Sequence, residues 1–169
     1  NALRKLGFDS TLQDDPDGIS KADALILPGV GNFGSAMQRL MKFRDALHDY
    51  VDEGGLFLGV CLGIQVIMDS SREAAEREGL GLVGGTCMKF SPTRDRKVPH
   101  MGWNTLDVKK ESPLLEGLDD GDFFYFVHSY YPNPIHSDVV AASTKYGVTF
   151  PSVISDGNLH ATQFHPERS

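Results

Sequence analysis

Two cysteines, one tryptophan and no long apolar run are the first features of these 169 residues, and each scarcity excludes something. Cys61 and Cys87 cannot make the dense cross-linking of a small secreted scaffold, so each thiol is judged by its neighbours. No stretch approaches the ~20 apolar residues that cross a bilayer, and Asn1-Ala2-Leu3-Arg4-Lys5 lacks the hydrophobic core of a signal peptide. A cytoplasmic protein without a membrane partner is expected. Positive charge is also short: 16 Lys and Arg stand against 23 Asp and Glu, a formal charge of -7. No basic stripe forms to follow phosphates, which argues against nucleic acid. His48, His136 and His160 show no metal-ligand spacing with either cysteine, so neither a metal nor another cofactor is expected.

What is present suits one compact α/β domain, with 40% apolar residues available for its core. Ala2 to Leu6 reads as the end of a helix stopped by Gly7. Ala24-Leu25-Ile26-Leu27 predicts a buried strand that runs into the loop Pro28-Gly29-Val30-Gly31. Apolar residues at three- and four-residue intervals predict one surface helix from about Ser35 to Glu53, ended by Gly54-Gly55. Leu56 to Val60 is the next strand, and Cys61-Leu62-Gly63-Ile64-Gln65 opens the next helix. Strand, helix, strand, helix implies parallel pairing. The second half is poor in helix: Trp103 to Val108, Phe123 to His128, Val139 to Thr144 and Asn158 to Phe164 are separate strand candidates. Pro92 to Pro99 reads as a polar loop and Asp119-Asp120-Gly121-Asp122 as a turn. A mixed sheet with helices on both faces is expected, its parallel part first.

Gly59-Val60-Cys61-Leu62-Gly63 has the form of a nucleophile elbow with sulfur in place of oxygen, lying between strand and helix where such a turn belongs. The helix N-terminus is expected to favour thiolate there. A thiol nucleophile needs a proton carrier, and Gln163-Phe164-His165-Pro166-Glu167 offers one. Pro166 keeps the preceding residue extended, and extended positions i and i+2 share a side, so Glu167 can orient the His165 ring. The oxyanion produced by attack on a carbonyl needs two donors. The N–H of Leu62 is the natural first, and Val30 or Gly31, at the end of the neighbouring strand, the second. Cys87 has no elbow and is expected to be an inert buried thiol.

The segments Leu27-Pro28-Gly29-Val30-Gly31, Gly59 through Gln65 and His165-Pro166-Glu167 together resemble the class I (triad) glutamine amidotransferases. Lys97-Val98-Pro99-His100-Met101-Gly102-Trp103-Asn104 and Tyr125 to Tyr131 look like the glutaminase subunits of imidazole glycerol phosphate synthase, and the likeness spans nearly the whole chain. It implies a flavodoxin-like three-layer sandwich around a mixed, mainly parallel sheet. It also implies glutamine side-chain hydrolysis through a Cys61 thioester, with His165 and Glu167 completing a triad. Ammonia would pass to a (βα)8-barrel cyclase in a heterodimer serving histidine biosynthesis. By position, Gly31, Gln65, Glu73, Ser129 and Tyr130 match glutamine-holding residues. Glu73 also reads as an early acid in a solvated helix. His100, Trp103, Tyr125 and Arg168 match positions near the barrel, Arg168 standing where lysine is common.

Members of that family usually begin with a strand before the opening helix and end in a helix after His-Pro-Glu, so residues 1–169 are expected to form one amidotransferase domain lacking both. Many other amidotransferases have glycine at the position of Val30. A β-branched side chain resists positive φ, so the resemblance implies an oxyanion hole that forms only with the partner bound. Other readings are a glutaminase serving anthranilate, carbamoyl phosphate or GMP synthesis, a γ-glutamyl hydrolase acting alone, and a catalytically silent regulatory subunit.

Overall fold

The structure, a computed structural model, describes residues 2–94, 96–119 and 121–169. Asp95 and Asp120, read from the sequence as part of a loop and a turn, lie outside the described residues. In chain order the main elements are α1 (Ala2–Lys5), β1 (Ala24–Gly29), α2 (Phe33–Leu40), α3 (Arg44–Asp52), β2 (Leu56–Cys61), α4 (Leu62–Val66), β3 (Met68–Ser71) and β4 (Val83–Lys89). There follow β5 (His100–Thr105), β6 (Asp107–Val108), β7 (Phe123–His128), β8 (Tyr130–Tyr131), β9 (Val140–Tyr146), β10 (Val148–Asp156) and β11 (Leu159–Thr162).

Six strands form the central sheet in the order β1-β2-β11-β10-β9-β6. β1, β2 and β11 run parallel, while β10, β9 and β6 pair antiparallel. The parallel part holds the first two strands of the sheet, as the alternation of strand and helix predicted, and it recruits the last. Two small sheets flank it, β3-β4-β8 and β5-β7.

The surface helix expected from Ser35 to Glu53 is two helices joined by a 3-10 turn at Met41–Phe43. Met37, Leu40 and Phe43 all reach the core in successive three-residue steps, the spacing that three residues per turn satisfies. Asn32 caps α2 by accepting the Ser35 N–H at 2.8 Å.

Two apolar clusters sit on opposite faces of the central sheet. Phe33, Met37, Leu47, Tyr50, Phe57, Ile64, Ile67 and Ile154 form the one under the helices. Phe90, Phe124, Phe126, Phe150, Val153 and Phe164 form the other, under the β5-β7 pair. Val153 and Ile154, adjacent in β10 and paired with Thr162 and Ala161 of β11, divide between them as alternating strand residues must. Among the described residues the helices thus cover one face, and over the antiparallel half a small sheet covers the other. On β1 that second face leaves Ile26 exposed.

Candidate active site

Parallel pairing decides where the site lies. Gly29 and Cys61 are register partners at the carboxyl ends of β1 and β2, so the loop after β1 lies beside the elbow after β2. β11 runs along the other side of β2 with Thr162 opposite Val60, which delivers Gln163, Phe164 and His165 to the same edge. Residues a hundred positions apart therefore meet where the chain leaves three parallel strands.

The elbow is as sharp as the sequence implied. Cys61 has φ 56° and ψ -102°, and no other described non-glycine residue has positive φ. Its flanking glycines are required by close approach. A Cβ on Gly63 would stand 2.3 Å from the Leu27 carbonyl oxygen, and one on Gly59 would stand 2.9 Å from the Gly63 carbonyl carbon. In the loop after β1, Gly31 takes the positive φ, 103°; Val30 keeps an ordinary φ and is 84% exposed.

One thiolate expectation is corrected. Burial pushes the Cys61 thiol up to about 11; the Leu62 N–H works against that rise and the Glu167 charge adds to it. α4 has only five residues, and its N-terminal field does not outweigh the lost hydration. The resting sulfur is a thiol, so attack requires a base.

His165 is placed to be that base. Its ring is buried and its Nδ1 contacts Glu167 Oε1 at 2.8 Å, while its Nε2 is buried with no hydrogen-bond partner among the described residues. The backbone fixes the residue: the His165 N–H donates to the Tyr125 carbonyl at 2.9 Å, and Ser169 Oγ donates to the His165 carbonyl at 2.9 Å. The His-Pro-Glu segment is not extended throughout, because Pro166–Arg168 is a 3-10 turn, yet the turn brings Glu167 to the ring.

Cys61 and His165 open on one cleft of about 320 Å3, lined also by Val30, Gly31, Leu62, Gln65, Glu73, Ser129 and Tyr130. Every residue matched by position to the triad's nucleophile and base, the oxyanion donors and the glutamine contacts is in that wall; Glu167 stands behind His165. Glu73 does not begin a helix: residues 72–77 are turns, and Glu73 Oε2 accepts the Phe33 N–H at 2.7 Å, tying the pocket to the start of α2. Gln65 Nε2 donates to the Tyr130 carbonyl at 3.0 Å and to Gln163 Oε1 at 3.1 Å. Pro99, Val127 and His128 complete the wall and were not singled out from the sequence as site residues. For His128 the signal was there, since Phe124, Phe126 and His128 alternate as the buried positions of β7.

Trp103 and Tyr125 are cross-strand neighbours on β5 and β7 with ring centroids 5.8 Å apart, and the Arg168 guanidinium lies 5.5 Å from the Tyr125 ring. Met101, Trp103 and Phe123 are exposed there. His100, grouped with them by position, is not on that surface. Alternation along β5 turns it inward, where it is 3% exposed.

Among the described residues no three His, Cys, Asp or Glu side chains are placed to hold a metal, and no helix is long and apolar enough to cross a membrane.

Comparison with known proteins agrees with this geometry. Residues 1–169 match the family Glutamine amidotransferase class-I. The imidazole glycerol phosphate synthase subunit HisH of Methanothermobacter thermautotrophicus is 50% identical over 169 residues, covering 100% of this chain and 83% of that protein. The subunit of the same name from Methanocaldococcus jannaschii is 44% identical over 158 residues, covering 94% and 79%. A crystal structure of a glutamine amidotransferase aligns with a TM-score of 0.75 at 22% identity, covering 99% of this chain and 83% of that one, which establishes the fold. A cysteine elbow and a buried histidine lining one cleft, on a sheet of this order, with these relatives, make the chain a class-I glutamine amidotransferase that belongs to the HisH subunits of imidazole glycerol phosphate synthase.

Proposed function

We propose that residues 1–169 form one amidotransferase domain that releases ammonia from glutamine at Cys61 and supplies it to a (βα)8-barrel cyclase in a cytoplasmic heterodimer of histidine biosynthesis. The observation that carries this reading is His165 Nε2, without a partner among the described residues and buried in the wall of the cleft onto which Cys61 opens.

The chemistry follows from the protonation states. Cys61 Sγ attacks the side-chain amide carbon of glutamine as its proton passes to His165 Nε2, and Glu167 stabilises the imidazolium through Nδ1. The carbonyl oxygen becomes an oxyanion facing the N–H of Leu62 and of Val30 or Gly31. The His165 proton moves to the departing nitrogen, the C–N bond breaks, and ammonia leaves a glutamyl thioester. Water then attacks that thioester, giving its proton to His165. Glutamate departs as the C–S bond breaks and the sulfur regains a proton. Glu73 is suited to the substrate ammonium, while Gly31, Gln65, Ser129 and Tyr130 hold the rest of the molecule.

The exposed Trp103 and the half-buried Tyr125, with Arg168, suit the barrel interface, where large aromatic and arginine side chains carry most of the binding. Glutamate release is to be measured for the chain alone and with increasing barrel subunit. Hydrolysis that rises and saturates near one barrel per chain is expected. Hydrolysis unaffected by the barrel, or stimulated only by an anthranilate, carbamoyl phosphate or GMP synthase, would overturn the assignment of the partner.

A further inference from the structure

His128 lines the cleft, His100 lies buried behind it, and neither takes part in the chemistry above. We propose that His128 and His100 are positioning residues: with Asn104 they form a hydrogen-bond relay of fixed direction that pins the Tyr130 carbonyl and, through Gln65 and Gln163, the backbone of the nucleophile.

The direction follows from the two ends. Asn104 Oδ1 accepts the Thr105 N–H at 2.9 Å and Asn104 Nδ2 donates to the Lys145 carbonyl at 3.1 Å, so its amide cannot be reversed. Asn104 Nδ2 also lies 3.3 Å from His100 Nε2, which must therefore accept. A neutral His100 then carries its proton on Nδ1 and donates to His128 Nε2 at 2.9 Å. His128 in turn carries its proton on Nδ1 and donates to the Tyr130 carbonyl at 2.7 Å. The carbonyl end requires the same tautomer independently, because a carbonyl oxygen only accepts.

Beyond Tyr130 the same carbonyl receives Gln65 Nε2, which also donates to Gln163 Oε1; Gln163 Nε2 donates to the Cys61 carbonyl at 3.4 Å. Thus one chain of hydrogen bonds runs from β5 to the strained turn and fixes the β8 backbone that lines the cleft.

An added proton has no place in this relay. On His128 Nε2 it would meet the Nδ1–H of His100, and turning His100 to its other tautomer would aim Nε2–H at the Asn104 amide. Aromatic rings close the surroundings: Phe126 stacks on His100 at 4.8 Å and Tyr146 at 4.0 Å, while Phe90 and Phe150 pack edge-on. His128 meets Phe90 edge-on and Phe126 and Phe150 at a tilt. The titratable groups facing the pair are His165 from the chain after β11, Tyr146 of β9, and Cys61 and Glu73 across the cleft. Burial correspondingly holds His100 down at about 4 and His128 at about 3, so neither places a positive charge beside His165.

The kinetic consequence rests on the glutaminase reading; the tautomers do not, and so the two are tested separately. Nitrogen-15 NMR of the histidine-labelled full chain from pH 5.5 to 8 should show both rings protonated on Nδ1 only, with no titration. An Nε2–H form or a titration midpoint in that range at either ring overturns the relay. In the complex with its barrel, His128→Phe keeps ring bulk and loses the donor, so KM for glutamine should rise about tenfold, the scale of one lost hydrogen bond, with a smaller change in kcat. His128→Asn, which retains a donor near the place of Nδ1, should recover most of it. Wild-type constants in the Phe variant, or no recovery with Asn, refute the positioning role. Should His128→Phe not fold, Asn104→Leu removes the far donor together with the Asn104 bonds to Thr105 and Lys145; the carbonyl end still requires the same tautomers, so both rings should stay protonated on Nδ1, and an Nε2–H form at either would refute the relay.

Discussion

Cys61 and Cys87 are both buried thiols on strands of one small molecule, and they differ in what surrounds the sulfur. Cys87 sits in the helix-side core, where its thiol donates to the Gln65 carbonyl at 3.4 Å and burial raises its pKa far beyond the ordinary value. Cys61 is also raised by burial, yet it occupies a strained turn, receives the Leu62 N–H and opens on a cleft with an imidazole in its wall. Burial alone therefore does not separate an inert thiol from a reactive one. Backbone geometry, space for a substrate and a proton acceptor do.

The histidines repeat the contrast. His128 has a partner at each nitrogen and is held neutral, whereas His165 has a carboxylate at Nδ1 and, among the described residues, no partner at Nε2. A saturated ring is scaffold; a ring with one open nitrogen can carry a proton.

The sharpest way to break this comparison is to remove the open nitrogen. His165→Asn should lower glutamate release about 1,000-fold while the chain still binds glutamine, checked by single-turnover assay and calorimetry. Glu167→Gln leaves the base but weakens its hold, and since the Glu167 side chain is 42% exposed the loss should be smaller, about 30-fold in kcat. A loss as large as that of His165→Asn would mean that Glu167 does more than orient the ring.

The saturated rings should show themselves in stability. Their folded pKa values lie below the ordinary 6.5, so the unfolded chain takes up protons first as the pH falls. Their contribution is complete above about pH 6.5 and declines toward pH 4, by about 1.4 kcal/mol per unit for each imidazole. Urea denaturation at pH 7 and pH 5 should show that decline. A flat profile would mean that the two rings take up protons alike in the folded and unfolded chains.

Much of the site was legible because its parts are local. The elbow needs small residues at Gly59 and Gly63 on either side of Cys61, which residue type alone shows, although the approach of Gly63 to the Leu27 carbonyl comes from the pairing of β1 with β2. β1, β2 and β7 are near-continuous apolar runs bounded by turns, and their limits were close to those observed. β3, β4 and β10 were not foreseen. Met68–Ser71 is short and polar at three of its four positions, Val83–Lys89 carries Gly84 and Gly85, and β10 contains Pro151 and two register shifts, so neither alternation nor composition marks them. The long-range polar contacts were equally hidden. Glu73 reaches Phe33 across forty residues, and His100 faces His128 only because β5 and β7 pair in that register. Sequence spacing cannot report such pairings, which the sheet order creates.

The contrast between the two thiols is also the most direct test of the account. The native chain is to be treated with an electrophilic glutamine analogue, with and without excess glutamine, and the modified residue located by mass spectrometry. Single labelling at Cys61, slowed by glutamine and lost in Cys61→Ala and strongly reduced in His165→Asn, is the predicted result. Labelling of Cys87, or labelling of Cys61 that is indifferent to glutamine and to His165, would contradict it.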